Sequence, residues 1–217
     1  MESMRRAEAN TCYAYTHCHN GEVSYGFRMV GEVGEDWYHD DTYTVYPRYI
    51  HNESAGWSGY IARRFDGDKL IMKKDYNRLK DMVENARTDI MSSLKKVARE
   101  RDRELQIGDY LFCYDDYHEE WCDSDNVKHE VYDVSSVCYK VTEISNDGYK
   151  VVRSLIISDV SLDFEEDEKE YSDEYGREKI EKSLLIDESQ YAKAMATAQS
   201  VRDELVEKIK TLLYGKR

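Results

Sequence analysis

The alternation of apolar and polar residues predicts an antiparallel sheet in the N-terminal part of the chain. Runs rich in tyrosine, valine and threonine, which favour strands, occupy residues 11–18, 22–33 and 37–50. Asn20-Gly21 joins the first two runs and is typical of a two-residue β-hairpin turn, because both residues tolerate positive φ. Asp66-Gly67 predicts another hairpin, between strands at 60–65 and 69–72.

The spacing of apolar residues changes after residue 75 to three or four, which is the period of an amphipathic helix. It predicts helices over 75–104 and 188–214, each with one apolar stripe. The stripes consist of Tyr76, Leu79, Val83, Ala86, Ile90, Leu94 and Val97, and of Tyr191, Ala194, Ala198, Val201, Leu205, Ile209 and Leu212. Because both stripes advance in the same steps, we expect the helices to pair antiparallel, as in a coiled coil. The alternative is that each helix covers a separate sheet.

The segment between the helices begins with an apolar strand and ends with a hairpin. Gly108-Asp109 marks a strand predicted over 107–114, and Asp147-Gly148 predicts a hairpin between strands at 137–144 and 149–157. An acidic loop is predicted between these strands, over 115–133. This order of elements resembles the SH3-like small β-barrels, and the resemblance implies a fold without implying a function.

The predicted fold class is therefore α+β, with an N-terminal antiparallel sheet, two long helices and a small barrel inserted between them. The predicted domains are a β-rich unit at 1–74, a two-helix stem at 75–104 plus 187–217, and an acidic SH3-like insert at 105–186. Within the insert, blocks of like charge at 159–178 repel each other and resist packing. We expect this stretch to be exposed and partly mobile.

Charge is unevenly distributed along the chain, whose formal net charge is −14. Residues 1–104 carry 17 basic and 18 acidic groups, and residues 189–217 carry 6 and 3. Residues 105–188 carry 8 basic and 24 acidic groups, a net charge of −16. Such a density destabilises a compact domain through self-repulsion and exceeds what solubility requires, so it indicates a basic partner.

Aromatic residues interrupt both acidic stretches, where they would supply contact area and cation–π contacts to arginine or lysine. The predicted partner-binding residues are Asp115, Asp116, Tyr117, Glu119, Glu120, Trp121, Asp123, Asp163, Phe164, Glu165, Glu166, Asp167 and Glu168. The sequence thus predicts a non-enzymatic protein that binds a basic surface of another protein. A nucleic-acid-binding protein fits this description, and the acidic domain would then inhibit it as a mimic of the nucleic acid. A compact body formed by residues 105–188 would be roughly 30 Å across. Duplex DNA of that length carries about 18 phosphate charges, which is comparable with the net charge of these residues.

Cysteine and histidine residues crowd into two short segments. The members are Cys113, His118, Cys122, His129 and Cys138 in one segment, and Cys12, His17, Cys18 and His19 in the other. Neither segment has the close Cys-x₂₋₄-Cys pair that is typical of zinc sites. Strand alternation predicts Cys12 and Cys18 as small core residues on one face. No cofactor is predicted, and a Cys/His-dependent or zinc-binding enzyme is kept as an alternative, because a Cys–His pair leaves no local motif.

Two further alternatives concern binding and assembly. Tyr13, Tyr15, Tyr25 and Phe27 would suit base stacking, with Arg28, Arg63 and Arg64 nearby. Residues 1–74 hold 9 basic and 11 acidic groups, however, and lack the basic excess of a nucleic-acid interface. We therefore expect no direct nucleic-acid binding. The helical stem offers the other alternative, a structural or assembly subunit that forms an oligomer through its helices.

The expected location is cytoplasmic. No run of about 18 apolar residues would form a membrane span, and the first residues lack the apolar stretch of a secretory signal. The five cysteines are odd in number and unevenly spaced, which argues against a disulfide framework and for a reducing compartment.

Overall fold

The computed structural model describes residues 8–19, 21–34, 37–58, 67–122 and 128–215, with the backbone alone at residues 19, 55–58, 115–122 and 128–134. The described elements are β1 (Thr11–His19), β2 (Glu22–Val33), β3 (Trp37–Val45), β4 (Tyr49–Ser58), β5 (Lys69–Ile71), α1 (Lys73–Val97), β6 (Tyr110–Cys122), β7 (Lys128–Ser145), β8 (Gly148–Ile157), β9 (Ser161–Asp163), β10 (Asp167–Tyr171), α2 (Glu174–Lys182), β11 (Leu184–Ile186) and α3 (Glu188–Tyr214). The predicted α+β class is confirmed.

Residue contacts divide the chain into two compact units. Unit 1 comprises Met1–Ala86 and Gln199–Arg217, and unit 2 comprises Arg87–Ala198. The boundaries fall inside α1 and inside α3, whereas the sequence analysis assigned both whole helices to one stem. Antiparallel pairing of the two helices stays a prediction.

Unit 1 contains five described strands in the order β4-β3-β2-β1-β5, all antiparallel. His19 pairs with Glu22, and Gly21 adopts a φ of +84°, which confirms the first predicted hairpin. The run predicted at 37–50 forms β3 and the start of β4. The strand predicted at 60–65 lies outside the described residues.

The part of the α1 stripe that belongs to unit 1 begins with Tyr76, which packs on one face of this sheet. The rings of Phe27 and Tyr43 are stacked with centroids 4.9 Å apart, and the Tyr76 ring of α1 meets Phe27 edge-on at 5.6 Å. The Tyr76 hydroxyl donates to Asp41 Oδ2 at 2.6 Å. Every predicted stripe residue of α1 except the half-buried Val97 is buried, because the helical period places them all on one side of the helix.

α1 ends at Val97, seven residues before the predicted end. Beyond it the backbone of Arg99 pairs with Leu185, through N–O distances of 3.0 and 2.9 Å. A strand-like bridge to a residue this distant in sequence removes the backbone groups that a helix would use. α3 has the predicted bounds, and Gly215 ends it with a φ of +81°.

Unit 2 contains an antiparallel sheet in the order β11-β6-β7-β8, and β9 and β10 both pair with the other edge of β8. Ile180 of α2 packs on one face, with Leu111, Tyr139 and Val151. Tyr191 of α3 packs on the other, donating a hydrogen bond to Ser154 Oγ. Among the described strands no pairing closes this sheet, so the predicted SH3-like barrel is not confirmed.

The third predicted turn differs in detail from the structure. β7 and β8 form the predicted hairpin, but Ser145 pairs with Gly148, so the two loop residues are Asn146 and Asp147. Gly148 has a φ of +151°, and a Cβ atom there would lie 2.2 Å from the carbonyl oxygen of Tyr171. Glycine is therefore required where the end of β10 passes close to the hairpin.

None of the described helices is long and apolar enough to cross a membrane.

Candidate functional site

The central hairpin of unit 2 extends beyond the sheet to which it belongs. β6 has 13 residues and β7 has 18, whereas strands in globular proteins usually have about 3 to 10. β11 pairs with β6 only at residues 110–112, and β8 pairs with β7 only from Ser136 onward. Residues 115–122 and 128–135 pair, within the described part of the chain, only with each other. We name these two stretches the acidic ribbon; eight residues of strand make it about 26 Å long.

The acidic ribbon carries six acidic residues against one basic residue. The acidic residues are Asp115, Asp116, Glu119, Glu120, Glu130 and Asp133, and the basic residue is Lys128. The register places Glu120 directly opposite Glu130. Like charges in such a pair are destabilising by roughly 0.2–1 kcal/mol, a cost that a cation bound between them would offset.

The prediction of a loop over 115–133 is therefore wrong for the described part of this stretch. Tyr117, Trp121, Val131 and Tyr132 are all strand-favouring residues, and they continue the two strands that begin in the sheet. The charge density predicts a solvated loop, but charged residues are compatible with a strand as well as with a loop. Asp123 lies outside the described residues.

The division of the chain into units sharpens the charge asymmetry. Unit 2 carries 15 basic and 28 acidic groups, a net charge of −13, and unit 1 carries 16 and 17, a net charge of −1. Nearly all of the net charge of the molecule therefore belongs to unit 2.

The second predicted acidic stretch, 159–178, is folded over most of its length into β9, β10 and the start of α2. Phe164 is only 6% exposed, so its assignment as a partner-binding residue is wrong; the side chain is part of the core of unit 2. The half-buried Asp163 accepts a hydrogen bond from the backbone N–H of Glu165 at 2.9 Å. The sequence could not show which aromatic residue of this stretch would be buried, because burial here depends on strand pairing.

The Asp167 carboxylate forms ion pairs with a lysine of its own strand, β10, and with an arginine of the neighbouring strand, β8. Its Oδ2 lies 3.1 Å from Lys169 Nζ and 3.1 Å from the guanidinium of Arg153. The hydrogen bond from Lys169 contributes most to the lowered pKa of this carboxyl group, and Arg153 adds to it. Of the predicted residues here, Glu165, Glu166 and Glu168 remain as exposed carboxylates.

A groove that sequence reasoning missed lies where α2 meets β6. It has a volume of about 460 Å³ and is lined by Phe112, Cys113, Tyr114, Tyr175, Glu178, Lys179, Lys182 and Leu184. We name it the β6 groove. Tyr175 is 69% exposed, and the Lys95 ammonium lies 3.3 Å from the centroid of the Tyr114 ring. Asp173 caps α2 by accepting from Gly176 N–H at 2.8 Å, and this Asp before a short amphipathic run is a sequence signal for the helix α2, though not for the groove.

The cysteine and histidine residues do not form a described metal site. Phe112 pairs with Cys138, so Cys113, its neighbour in β6, lies on the opposite face of the sheet from Cys138. A zinc site that uses both is excluded. Burial raises the pKa of the Cys138 thiol to about 12, which leaves it unreactive. The side chains of His118, Cys122 and His129 lie outside the description, and among the described residues no three potential ligands converge.

The N-terminal segment gives one confirmed and one wrong prediction. Cys12 is buried as expected, whereas Cys18, near the end of β1, is exposed. Of the aromatic residues proposed for base stacking, Tyr13, Tyr15 and Phe27 are buried and Tyr25 is half-buried. The buried rings and the lack of a basic excess in residues 1–74 both weaken the base-stacking alternative.

Arg28, the cation of that alternative, is buried in unit 1. Its guanidinium lies 4.1 Å from the centroid of the Tyr15 ring and forms ion pairs with Asp40 at 3.5 Å and Asp68 at 3.4 Å. The Tyr15 hydroxyl shares a hydrogen bond of 2.7 Å with Thr44 Oγ1. This cluster is structural, because its charges are paired within the chain.

Comparison of the chain with known proteins gave no match to a family model, to a curated protein or to a solved structure.

Proposed function

We propose that unit 2 binds a basic surface of a partner protein and that the acidic ribbon is its main contact. The observation that carries this proposal is the coincidence of two features in one hairpin. The ribbon holds six acidic residues in two strands. It lies beyond the residues at which β11 and β8 pair with the rest of the hairpin. A surface element of this kind offers charge to a partner without disturbing the core.

The charge spacing indicates what the ribbon would resemble. Six acidic residues over about 26 Å give one charge per roughly 4 Å of ribbon. Duplex DNA carries one charge per about 1.7 Å and a single strand one per about 3.4 Å. The ribbon therefore approaches the charge spacing of one phosphate row, not of a duplex. An inhibitory mimic would compete for a protein groove that tracks a single strand.

The remaining predicted residues make a secondary contribution. Glu165, Glu166 and Glu168 are exposed residues of unit 2, Asp167 is half-buried and Phe164 belongs to the core. We therefore assign the partner contact to the ribbon first and to these three glutamates second.

The test neutralises the ribbon without changing its size. Proteins captured by the wild-type chain at low salt are eluted by a salt gradient, identified and purified, and their affinity is measured against two variants. The first variant carries Asp115→Asn, Asp116→Asn, Glu119→Gln and Glu120→Gln. The control carries Glu22→Gln, Glu32→Gln, Glu53→Gln and Asp81→Asn, four exposed positions of unit 1.

Four exposed ion pairs contribute about 1–4 kcal/mol together, so the ribbon variant should lose about fivefold or more in affinity. The control should bind as the wild type does, and wild-type affinity should fall as ionic strength rises. Equal losses in both variants, or binding that is insensitive to salt, would overturn the proposal.

The alternative function, an assembly subunit, was inferred from the apolar helix stripes, and most of the α3 stripe is buried within this chain. Within the stripe of α3, Tyr191, Ala194, Ala198, Leu205 and Ile209 are buried in this chain. A substitution such as Leu205→Asp would damage the core of unit 1, so it would not distinguish a lost subunit contact from unfolding.

A further inference from the structure

The outer edge of β6, which faces away from β7, is only partly occupied. β11 pairs with it at Tyr110, Leu111 and Phe112. From Cys113 to Cys122 no strand in the described part of the chain pairs with this edge. An uncovered strand edge of this length presents backbone donors and acceptors to any extended chain that approaches it.

The backbone pairing shows which residues present these groups. Both backbone groups of Leu185 bond to Arg99, so its neighbours Leu184 and Ile186 are the residues of β11 that bond to β6, at Phe112 and Tyr110. Even-numbered residues of β6 therefore direct N–H and C=O outward.

The opposite edge of β6 agrees with this assignment. The carbonyl of Asp109 accepts from Val141 N–H at 2.9 Å, so odd-numbered residues face β7. Because the register with β7 is continuous to Cys122, the outward residues beyond β11 include Tyr114, Asp116, His118 and Glu120.

The β6 groove lies beside this edge where β11 begins. Phe112, Cys113 and Tyr114 of β6 form one wall, and Tyr175 of α2 and Leu184 of β11 contribute to the other. A strand that continued the line of β11 along β6 would therefore pass the groove before it reached the acidic ribbon. The exposed Tyr175 ring offers an apolar contact there.

Charge decides between the candidate occupants of this edge. A second copy of the chain would bring another acidic ribbon, and like charges across a strand pair are destabilising. A basic segment would place its lysine or arginine side chains beside Asp115, Asp116, Glu119 and Glu120. The edge is thus complementary to an extended basic chain.

We propose that an extended basic segment of the partner protein adds to unit 2 as a further strand, paired with the outer edge of β6 and with an apolar side chain in the β6 groove. This inference rests on the proposed function and specifies its mode. Backbone hydrogen bonds would supply affinity, and the ribbon and the groove would supply selectivity.

Proline at a position of β6 whose backbone N–H points away from β7 tests strand addition without removing a carboxylate. His118→Pro eliminates one outward N–H and places a ring at the edge, while the bonds to β7 are kept because they belong to odd-numbered residues. His118→Ala is the matched control. The probe is a fluorescent peptide of about ten residues, with alternating lysine and threonine and a leucine at one end. We expect His118→Pro to bind it about tenfold more weakly than His118→Ala does.

Backbone-methylated peptides provide a test on the unaltered protein. One peptide is N-methylated on its lysine residues and the other on its threonine residues, so that each loses the donors of one edge. Strand addition requires one of them to lose binding and the other to retain it. Equal binding by both methylated peptides would refute strand addition, even if His118→Pro failed to fold by circular dichroism.

The outcomes separate this inference from the proposed function. If the ribbon variant with four neutralised acids loses binding while His118→Pro behaves as His118→Ala does, the acidic contact stands and strand addition is refuted. If the ribbon variant binds as the wild type does, the proposed function itself fails. If Tyr175→Ala weakens peptide binding while Tyr214→Ala, at a similarly exposed position, does not, the groove contact is supported. If both variants bind the peptide with equal affinity, the groove is removed from the proposal.

Discussion

Replacement of Arg28 by methionine should strongly destabilise unit 1. Arg28 lies between two carboxylates, and the side-chain exposures are 6% for Arg28, 1% for Asp40 and 8% for Asp68. Methionine retains the apolar stem of the side chain but not its charge, so both carboxylates would stay buried without this guanidinium. At an effective dielectric constant of about 20, each pair at these distances contributes roughly 5 kcal/mol of Coulomb attraction.

The desolvation of Arg28 offsets part of that attraction. Loss of one partner of a buried ion pair usually costs about 3–5 kcal/mol, and we expect a value in this range for Arg28→Met. The matched control is Lys210→Met, since Lys210 pairs with Glu207 at 2.8 Å on the surface, with exposures of 40% and 72%. Exposed pairs contribute about 0–1 kcal/mol.

Urea denaturation with fluorescence detection would measure the difference. Trp37 and Trp57 belong to unit 1 and Trp121 to unit 2, so a Trp121→Phe background restricts the signal to unit 1. With a slope of about 2 kcal/mol per molar urea, the midpoint should fall by roughly 2 M for Arg28→Met and by under 0.5 M for the control. If Arg28→Met lowered the free energy of unfolding by less than about 1 kcal/mol, the burial of paired charges at this position would be refuted. The added substitutions Asp40→Asn and Asp68→Asn should restore much of the stability, because they remove the unpaired charges.

Two further predictions concern titrating groups. Hydrogen bonding from Arg103 lowers the pKa of Asp109, so the stability that Asp109 contributes is complete above its ordinary pKa of 3.8 and is lost as the pH falls below it. The difference in urea midpoint between wild type and Asp109→Asn should therefore be largest near neutral pH and shrink in acid; a constant difference would contradict the pairing. In a Cys122→Ser background, one thiol, that of the exposed Cys18, should react rapidly with a thiol reagent in the native protein. Rapid native reaction of Cys138, whose pKa burial raises to about 12, would revive the cysteine enzyme alternative.

Local patterns predicted the local features of the fold. The stripe of α3 and its bounds follow from the helical period, and the turn at Asn20-Gly21 follows from the positive φ that Gly21 adopts. The end of α1 could not be predicted in this way. It depends on the bridge between Arg99 and Leu185, two residues that are distant in sequence and adjacent only after folding.

The candidate site was predicted in composition but not in form. The concentration of acidic groups was visible in residues 105–188, yet the ribbon was interpreted as a loop and Phe164 as an exposed residue. Both errors come from reading charge as a sign of irregular structure, whereas strand pairing decides order and burial here. The β6 groove joins Cys113 to Tyr175 across more than sixty residues of chain, so no local signal could have revealed it.

The close approach of Tyr171 to Gly148 has a consequence for the energetics of binding. It holds the end of β10 against the β7–β8 hairpin, and with it the neighbouring exposed glutamate Glu168. Ordering a mobile segment on association costs on the order of 1 kcal/mol of conformational entropy per residue. In the folded protein this cost has already been met, so the carboxylates on β10 meet a partner as a fixed array, and Gly148 permits the close packing at one end of that strand.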